Sequence, residues 1–485
     1  MAREGAPARE LIPALRAIVG DEGVLARPED LLVYEADGLT VHGALPSAVV
    51  LPRDKTEVAR VVRACRAHGV PFVPRGAGTG LSGGAIALEQ GVVIECSRMN
   101  RILRIDPEDR LAVVEPGVVN AELGKAVAEH GLFYAPDPSS QLACTLGGNA
   151  AENSGGPHTL KYGTTTNHVL ALELVLPDGE IVRLGSPSGV APGYDLVGAV
   201  VGSEGTLGVV TELTLRLCPL PERADTLLGI FGDVVSACRA VGAIIASGLV
   251  PAALEIVDRR TIAAVEASVY AAGLPTDAGA VLLVELDGPA VAVARQIERV
   301  RAHCLTAGAR EVAVARDAEE RQRFWRARKG AFGAMGRLAP DLYVHDAVVP
   351  RARLPEILER VCEIGDRHRL RLSNVFHAGD GNLHPNISFD RRDPDELARV
   401  TAAGAEILRV CVEAGGVISG EHGIGTEKRD YMRLVFSDAD LAAMCRLRAA
   451  FDPEHACNPG KIFPTTRFCM ESDPKARGYD RVDFG

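Results

Sequence analysis

The chain has 485 residues, of which 47% are hydrophobic, and its formal net charge is −11. That length allows about three domains of roughly 150 residues each. The acidic balance argues against a nucleic-acid-binding surface. No stretch reaches about 18 uninterrupted apolar residues, so the sequence predicts no direct membrane span. The N-terminal residues contain no apolar run typical of a signal peptide.

The cysteine pattern limits the redox chemistry that this chain can hold alone. Eleven cysteines are scattered along the sequence without a C-x-x-C pair. Such spacing favours a cytoplasmic protein. It also argues against an iron–sulfur cluster bound by this chain alone.

The predicted elements fall into four stretches. Residues 1–45 are predicted to form a short helical lead-in, and 46–220 a β-rich domain that begins with a strand, a helix and a strand. Alternating strand-like and helix-like runs over 221–430 indicate a second, α+β domain. Residues 431–485 are predicted to form a helical C-terminal segment.

The first glycine-rich loop, PRGAGTGLSGGA, follows a predicted strand and contains Gly78-x-Gly80-x-x-Gly83. A dinucleotide-binding βαβ unit requires a helix directly after this motif. The run AIALEQ is too short for one, so we reject a Rossmann unit here. Backbone N–H groups of a glycine loop can still hold a pyrophosphate. The alternative is a tight loop without a ligand.

Two further loops share this small and polar character. They are PDPSSQLACTLGGNAAENSGGPHTLKYG at 136–163 and GSEGTLG at 202–208. The longer one is too polar for a core and too long for a simple turn. Three such loops in one domain predict an extended ligand with a polyphosphate part.

The segment NVFHAGDGNLHPNISF, residues 374–389, predicts a β-hairpin with Asp380-Gly381 at its tip. A two-residue turn there would place His377 directly opposite His384, with Cβ atoms about 4.5–5.5 Å apart. Two imidazoles at that separation reach one metal ion. The spacing alone equally allows two half-exposed histidines without a metal.

A possible third ligand stands in SGEHGIGTEK, where Glu421 and His422 are adjacent. Beside a metal this pair offers a carboxylate ligand and a base. Two imidazoles and one carboxylate leave coordination positions open, as in catalytic sites. Zn²⁺, Mn²⁺ and Fe²⁺ all accept such ligands. The alternative is that both residues are ordinary polar members of a loop.

Six motifs occur in order along the chain: PRGAGTGLSGGA, PDPSSQLACTLGGNAAENSGG, GSEGTLGVVTE, FHAGDGNLHP, SGEHGIGTEK and NPGKIFP. On these motifs nearly the whole chain resembles the FAD-linked oxidase family, which has a vanillyl-alcohol-oxidase (PCMH-type) flavin domain. The resemblance implies an α+β fold. A PCMH-type FAD-binding domain would precede an α+β, ferredoxin-like cap domain, and a helical C-terminal segment would return to the flavin domain.

The resemblance implies that FAD is held by the three glycine-rich loops and the C-terminal return. The matching residues are Arg75, Gly76, Gly78, Thr79, Gly80, Ser82, Pro136, Ser140, Thr145, Gly148, Ser154, Gly155, Gly205, Gly208, Val210 and Asn458. Some relatives attach FAD covalently through a histidine in the first loop. This loop has no histidine, so we expect FAD to be non-covalent.

The resemblance also implies a metal and a substrate site. It matches His377, His384 and Glu421 to ligands of a divalent metal, which could be Zn, Mn or Fe, and His422 to a catalytic base. Arg328 matches the arginine that holds the substrate carboxylate, and an arginine fork suits that role.

Arg328 lies in the helix-like stretch RQRFWRARKGAF, and most of its other arginines, Arg321, Arg323 and Arg326, are expected to lie on a solvated face. Tyr343 and His345 are expected to line the same cleft. Asn386 should point to the same side as His384, because strand residues alternate. Some relatives that act on larger acids have asparagine there, so glycolate, D-lactate and larger D-2-hydroxy acids all stay open.

The implied activity is FAD-dependent, metal-assisted oxidation of a 2-hydroxy acid to a 2-oxo acid. Glycolate to glyoxylate, by the flavin subunit of a multi-subunit enzyme, is the leading expectation. Electrons would then leave to a second FAD-fold subunit and an iron–sulfur subunit. We expect a cytoplasmic protein that associates with the membrane only peripherally, through those partners.

Two alternatives are kept. One is a stand-alone D-lactate or D-2-hydroxyglutarate dehydrogenase. The other is a non-catalytic FAD-fold assembly subunit, which predicts an eroded ligand set. The presence of His377, His384, Glu421 and His422 disfavours the second alternative.

Overall fold

The computed structural model of the protein describes residues 6–39, 41–190 and 192–464. Residues 1–5 and 40 of the predicted lead-in lie outside the described residues. The same holds for residues 465–485 of the predicted C-terminal segment.

Among the described residues, the N-terminal part forms two sheets and a short ribbon. Its strands are β1 (Val24–Leu25), β2 (Ala48–Val50), β3 (Phe72–Arg75), β4 (Val92–Glu95), β5 (Ile102–Asp106), β6 (Leu111–Val114), β7 (Leu132–Phe133), β8 (Val169–Val175), β9 (Ile181–Gly185), β10 (Val209–Arg216) and β11 (Cys218–Pro219). The four-stranded sheet has the order β1-β2-β4-β3, with β4 parallel to both β2 and β3. The five-stranded sheet β5-β6-β10-β8-β9 is antiparallel.

Helices cover these sheets. They are α1 (Ala6–Val19), α2 (Pro28–Leu31), α3 (Lys55–Ala67), α4 (Asn120–Ala128), α5 (Leu146–Glu152), α6 (Thr159–Tyr162) and α7 (Leu196–Val200). Helix α3 begins after Asp54, whose carboxylate accepts two backbone N–H groups of the first turn. Its apolar side chains recur at helical spacing and are buried in the core that also contains β2, β3 and β4. The predicted strand–helix–strand order at the start of this part is confirmed.

The first glycine-rich loop connects β3 to β4 without any helix in residues 76–91. The two strands lie side by side in the sheet. This connection confirms that the glycine motif does not open a dinucleotide-binding βαβ unit, which requires a helix at that point.

The C-terminal part is built on a nine-stranded antiparallel assembly, here called the C-terminal sheet. Its strands are β12 (Arg223–Phe231), β13 (Ala253–Asp258), β14 (Ala280–Gly288), β15 (Ala309–Val314), β16 (Asp341–Val344), β17 (Ala347–Val348), β18 (Arg371–His377), β19 (Asn382–Leu383) and β20 (Pro385–Phe389). The main path runs β15-β12-β14-β13-β18-β19-β17, and β20 joins β16 to β18.

Helices pack on both faces of the C-terminal sheet. They are α8 (Val234–Ala246), α9 (Arg259–Glu266), α10 (Ala290–Thr306), α11 (Ala318–Met335), α12 (Leu354–Arg367) and α13 (Pro394–Glu413). Helices α8, α10, α12 and α13 share one apolar cluster with one face, whereas α9 and α11 share another cluster with the opposite face. No helix in the described part of the chain has the length and apolar character needed to cross a membrane.

The C-terminal segment contains α14 (Asp438–Phe451), and residues 452–464 continue without a helix. This last stretch returns to the first sheet. The N–H of Phe72 donates to the carbonyl of Ala456 at 2.9 Å, and the N–H of Asn458 donates to the carbonyl of Phe72 at 2.7 Å. The end of the described chain therefore packs beside the first glycine-rich loop.

The predicted register of the histidine hairpin is wrong. His377 pairs with Asn382 rather than with His384, and Asn374 pairs with Pro385, so four residues separate the strands. A two-residue Asp-Gly turn needs positive φ at both positions. Only Gly381 has it, with φ 85°, whereas the side chain of Asp380 accepts the N–H of Asn382.

Gly381 generates a stability prediction, because a Cβ atom there would lie 2.2 Å from the carbonyl oxygen of Val349. Gly381→Ala is expected to destabilise the protein by about 2 kcal/mol, since both φ and space oppose a side chain. Gly242→Ala, in α8 with no atom within 4 Å of its Cβ position, should instead stabilise by about 0.5–1 kcal/mol. Thermal unfolding followed by circular dichroism compares them, and equal midpoints would contradict the hairpin geometry.

Candidate functional site

A cavity of about 380 Å³ lies where the three glycine-rich loops face the C-terminal sheet. The loops of the N-terminal part supply one wall. Helix α11, strands β18 and β20 and the segment that contains Glu421 supply the other. Two parts of the chain that are distant in sequence therefore meet around one elongated space.

Most of the residues expected to bind FAD line this cavity. They are Arg75, Gly76, Gly78, Thr79, Gly80, Ser140, Thr145, Gly148, Ser154, Gly205, Gly208 and Val210. Four other expected residues, Ser82, Pro136, Gly155 and Asn458, lie outside its lining. Because glycines and small polar residues dominate, the wall offers many backbone N–H groups, as a phosphate-containing ligand needs.

The expected residues outside the lining support the loops from behind. Asn458 is fully buried, and its amide donates to the carbonyls of Gly84 and Glu204 at 2.9 and 2.7 Å. It thereby joins the first loop to the third. Gly155 allows Glu421 to approach the second loop, since a Cβ atom there would lie 2.8 Å from a Glu421 carboxylate oxygen.

Arg75 lines the cavity, but its guanidinium is largely occupied. It donates to the carbonyls of Ala36 and Ala85 at 2.8 and 3.1 Å, and it lies over the ring of Tyr34. Burial lowers its pKa, although Asp37 and Glu95 act in the opposite direction. These contacts make Arg75 a brace of the first loop as well as a positive charge beside the cavity.

His377, His384 and Glu421 converge at the other end of the cavity. One oxygen of Glu421, Oε1, lies 3.0 Å from Nε2 of His377 and 3.2 Å from Nε2 of His384. The two rings are 5.1 Å apart and nearly perpendicular. In the observed register His384 lies diagonally across from His377 on the same face, so the histidines meet even though they are not directly opposed.

Both imidazoles are oriented by hydrogen bonds on their far side. Nδ1 of His377 donates to Glu255 at 2.8 Å, and Nδ1 of His384 donates to the carbonyl of His345 at 3.1 Å. Such bonds fix the tautomer that leaves Nε2 free for a metal. The donor set of two Nε2 atoms from buried histidines and one carboxylate from the half-buried Glu421 fits a divalent cation.

Glu255 was not anticipated from the sequence. It is fully buried, and its carboxylate also pairs with Arg328, with Nη2 to Oε2 at 2.5 Å. Burial lowers the pKa of His377, but the carboxylates of Glu255 and Glu421 together raise it well above the usual value. A single glutamate in the apolar run PAALEIVD is the signal that could have pointed to it, because buried charges are rarely unpaired.

Asp346 anchors the segment that carries Glu421 and His422. Its carboxylate accepts the N–H groups of Gly420 and His422 at 3.0 and 2.8 Å and the hydroxyl of Ser419 at 2.6 Å. The buried ammonium of Lys428 lies 3.5 Å away. Asp346 is close to His384 and His422, but its Oδ2 already accepts these donors, so we expect it to act as a support rather than as a ligand.

His422 lines the cavity and stacks on His384 with ring centroids 4.9 Å apart. Burial lowers the pKa of His422 to about 4. Its Nδ1 is buried without a hydrogen-bond partner. A neutral imidazole with an unused nitrogen is suited to accept a proton.

Of the four remaining expected residues, two line the cavity and two do not. Arg328 and Asn386 line the cavity, whereas Tyr343 and His345 do not. The reason is alternation in β16, where Val344 faces the cavity and its neighbours face away. Tyr343 and His345 instead contact each other edge to face, with ring centroids 4.7 Å apart.

Among the α11 arginines of which most were expected to be solvated, Arg321 is the one that binds a buried carboxylate. Its guanidinium forms two hydrogen bonds to Glu285, at 2.9 and 3.1 Å. Arg326 is exposed, and Arg323 contacts Glu320 of its own helix at 3.4 Å. Helix α11 therefore has one face that contacts a buried carboxylate and one face that is exposed to solvent.

Two protein-family models match the chain. The model described as an FAD binding domain matches residues 46–185, and the one described as the C-terminal domain of FAD linked oxidases matches residues 220–462. The chain belongs to the FAD-linked oxidase family. It is accordingly an FAD-dependent oxidoreductase.

Curated relatives are similar over most of their lengths. The glycolate oxidase subunit GlcD of Escherichia coli (strain K12) is 48% identical over 95% of this chain and 92% of its own. The protein of that name from Bacillus subtilis (strain 168) is 43% identical over 89% of this chain and 92% of its own. D-lactate dehydrogenase of Anaerostipes hadrus is 35% identical over 94% and 96%.

Solved structures of low sequence identity share the fold. A substrate-bound p-cresol methylhydroxylase matches with a TM-score of 0.81 at 19% identity, covering 95% of this chain and 98% of that chain. A 4-ethylphenol oxidase from Gulosibacter chungangensis matches with a TM-score of 0.78 at 20% identity, covering 96% and 98%. The expected α+β fold with a PCMH-type flavin domain is confirmed.

The anchoring role of Asp346 generates a second prediction. Asp346→Asn keeps the shape of the side chain but leaves the ammonium of Lys428 without its nearest carboxylate in a fully buried position. Loss of one partner of a buried ion pair is expected to destabilise the protein by about 3 kcal/mol. Thermal unfolding measures the effect.

The matched control is Asp390→Asn, which removes an exposed ion pair with Arg392. Its effect is expected to be small, because an exposed ion pair contributes little to stability. Equal unfolding midpoints for the two variants would show that Asp346 does not anchor the segment.

Proposed function

We propose that this protein oxidises a small 2-hydroxy acid to the 2-oxo acid, with glycolate to glyoxylate as the leading reaction. The observation that carries the proposal is the single cavity in which the FAD-binding loops face His377, His384, Glu421, His422 and Arg328. Flavin, metal ligands, base and carboxylate-binding cation would thus act on one substrate.

Each residue has a role that follows from its position. Arg328 is buried, with Nε unpartnered and one amino group on Glu255, and the rest of its fork would bind the substrate carboxylate. His422 would accept the hydroxyl proton at its free nitrogen. His377, His384 and Glu421 would hold the divalent metal, which is Zn, Mn or Fe. When bound, the metal would supply Lewis-acid polarisation of the hydroxyl, and FAD, held non-covalently, would supply the hydride acceptor.

The cavity favours an acid with one carboxylate. Beside the histidines its wall contains Tyr270, Phe332, Val344 and Val375, which offer no charge to a second carboxylate. Of the two cations that α11 contributes to the cavity lining, Arg328 is assigned to the first carboxylate and Lys329 is paired with Asp137. D-2-hydroxyglutarate would therefore have to leave one carboxylate uncompensated, at a cost in binding.

Similarity supports the same order of substrates. The glycolate oxidase subunit of E. coli is more similar to this chain than the D-lactate dehydrogenase of A. hadrus is. D-lactate, which adds one methyl group to glycolate, is the second candidate. The word subunit in the name of the closer relatives supports transfer of electrons to partners. We infer a second FAD-fold subunit and an iron–sulfur subunit, with peripheral membrane association through them.

The substrate proposal is tested by anaerobic titration of the purified, FAD-loaded protein. Glycolate is expected to bleach the flavin absorbance most readily, D-lactate less readily, and L-lactate and D-2-hydroxyglutarate not at all. The small, singly charged binding space is the physical reason for the order of glycolate, D-lactate and D-2-hydroxyglutarate, whereas L-lactate, which has the size and charge of D-lactate, is the control for stereochemistry. A colourless protein, or a flavin that none of these acids bleaches, would contradict the proposed activity.

The metal proposal is tested by His377→Ala. Without one of three ligands the protein is expected to lose its metal, and flavin reduction should slow about a hundredfold or more, because Lewis-acid stabilisation is worth several kcal/mol. Bound FAD should persist. Metal analysis, absorbance and stopped-flow reduction measure the three quantities.

The control is His130→Ala, which removes an exposed histidine outside the cavity. It should keep metal, FAD and reduction rate. Loss of FAD from His377→Ala would mean that the hairpin belongs to the flavin site instead.

A further inference from the structure

His158 connects the N-terminal part to the C-terminal sheet through two carboxylates. Its Nδ1 lies 2.9 Å from Oδ2 of Asp137, in the second glycine-rich loop, and its Nε2 lies 3.2 Å from Oε1 of Glu285, in β14. Both carboxylates are largely buried. A carboxylate only accepts, so donation from both ring nitrogens requires the imidazolium form.

The charge of His158 agrees with this geometry. Burial lowers its pKa, but Asp137 and Glu285 raise it to about 10. Glu285 also accepts the hydroxyl of Thr226 at 3.0 Å, and Asp137 also accepts the ammonium of Lys329 at 2.8 Å. The imidazolium of His158 is therefore shared between two carboxylates, each of which has further partners.

Three partners of these carboxylates, Arg321, Trp325 and Lys329, lie on one face of α11. Arg321, Trp325, Arg328 and Lys329 recur at the spacing that puts helical residues on one side. Arg321 and Trp325 bind Glu285 at 2.9 and 2.5 Å, Arg328 binds Glu255 at 2.5 Å, and Lys329 binds Asp137. The ring of His158 stacks on Trp325 with centroids 5.5 Å apart.

The same face therefore contacts three carboxylates, and His158 ties two of them together. Asp137 is followed directly by Pro138, Ser139 and Ser140, which line the cavity on the flavin side. Arg328 lies one residue before Lys329 and lines the cavity on the opposite side. A shift of the bridge would change the distance between these two walls.

We propose that His158 is a positioning residue for substrate oxidation: by bridging Asp137 and Glu285 it holds α11 at a fixed distance from the flavin loop, so that Arg328 meets the substrate carboxylate in register with the flavin. This inference rests on the proposed function. His158 is neither a lining residue of the cavity nor a member of the group His377, His384 and Glu421. It acts through the helix.

A second contact between the N-terminal part and the C-terminal sheet provides a control for the general weakening of the junction between them. Lys161 donates to the carboxylate and to the carbonyl of Asp287, in β14, and Tyr162 donates to the same carboxylate. These bonds also join the N-terminal part to the C-terminal sheet, but they do not involve α11. Removing Lys161 therefore weakens the same junction without releasing the helix that carries Arg328.

The test compares His158→Ala, His158→Gln and Lys161→Met in the FAD-loaded protein. Anaerobic stopped-flow reduction by glycolate gives a half-saturating concentration and a limiting rate. Oxalate, added as an unreactive anion, gives a dissociation constant from the flavin difference spectrum without any turnover. FAD content and thermal unfolding are measured in parallel.

His158→Ala is expected to raise both the half-saturating glycolate concentration and the oxalate dissociation constant about tenfold or more, since misplacement of a binding group by about 1 Å has large effects. His158→Gln keeps one donor without the charge and should lie between His158→Ala and the unaltered protein. Lys161→Met should lower the unfolding midpoint and leave both binding values within about twofold.

Three results would overturn the proposal. Unchanged glycolate and oxalate binding in FAD-loaded His158 variants is one. An equal rise in Lys161→Met is another. The third is failure of His158→Gln to fold while Lys161→Met folds, which would make His158 a purely structural residue. If the unaltered protein is reduced by no 2-hydroxy acid, the proposed function fails first, whereas the oxalate titration still reports on His158.

Discussion

A glutamate buried in an apolar strand has to be neutralised, and the way in which Glu255 is neutralised arranges the site. Glu255 is fully buried in β13, and its carboxylate meets Arg328 of α11 and His377 of β18. An isolated charge in that position would be very costly. The helix and the strand must therefore converge on it. Their convergence places Arg328 and Nε2 of His377 at the same end of the cavity.

The same principle operates at two other carboxylates. Asp346 fixes the segment that carries Glu421 and His422, using backbone N–H groups and a buried ammonium. Glu285 gathers Thr226, Arg321, Trp325 and His158. Glu285 and its partners lie on the face of the C-terminal sheet that also presents Glu255 and His377, because antiparallel partners point to the same side. The polar end of this face closes the cavity opposite the flavin loops.

Sequence patterns anticipated the local features of this molecule well. The strand–helix–strand start, the glycine loop without a helix and the closeness of His377 to His384 all depend on residues that are near one another in the chain. The register of the hairpin was not anticipated, because it depends on the φ of Asp380 and on contacts of Gly381 with Val349. A dipeptide alone cannot specify those contacts.

The supporting residues were missed for a different reason. Glu255 and His377 are more than a hundred positions apart, as are His158 and Glu285. Each of the two glutamates lies within an apolar run, PAALEIVD or AVLLVELDG, which indicates that it has a partner but not which one. Only the order of strands in the C-terminal sheet and the packing of α11 determine which residues become the partners.

The central claim is that the hydrogen bonds donated by Nδ1 of His377 to Glu255 and by Nδ1 of His384 to the carbonyl of His345 orient the two imidazoles toward one metal. Anomalous X-ray diffraction from crystals of the metal-loaded, FAD-containing protein tests it most directly. The account predicts one peak about 2.0–2.2 Å from Nε2 of His377, Nε2 of His384 and a carboxylate oxygen of Glu421. An active protein whose cavity shows no such peak, or whose metal is held by Asp346 instead, would contradict it.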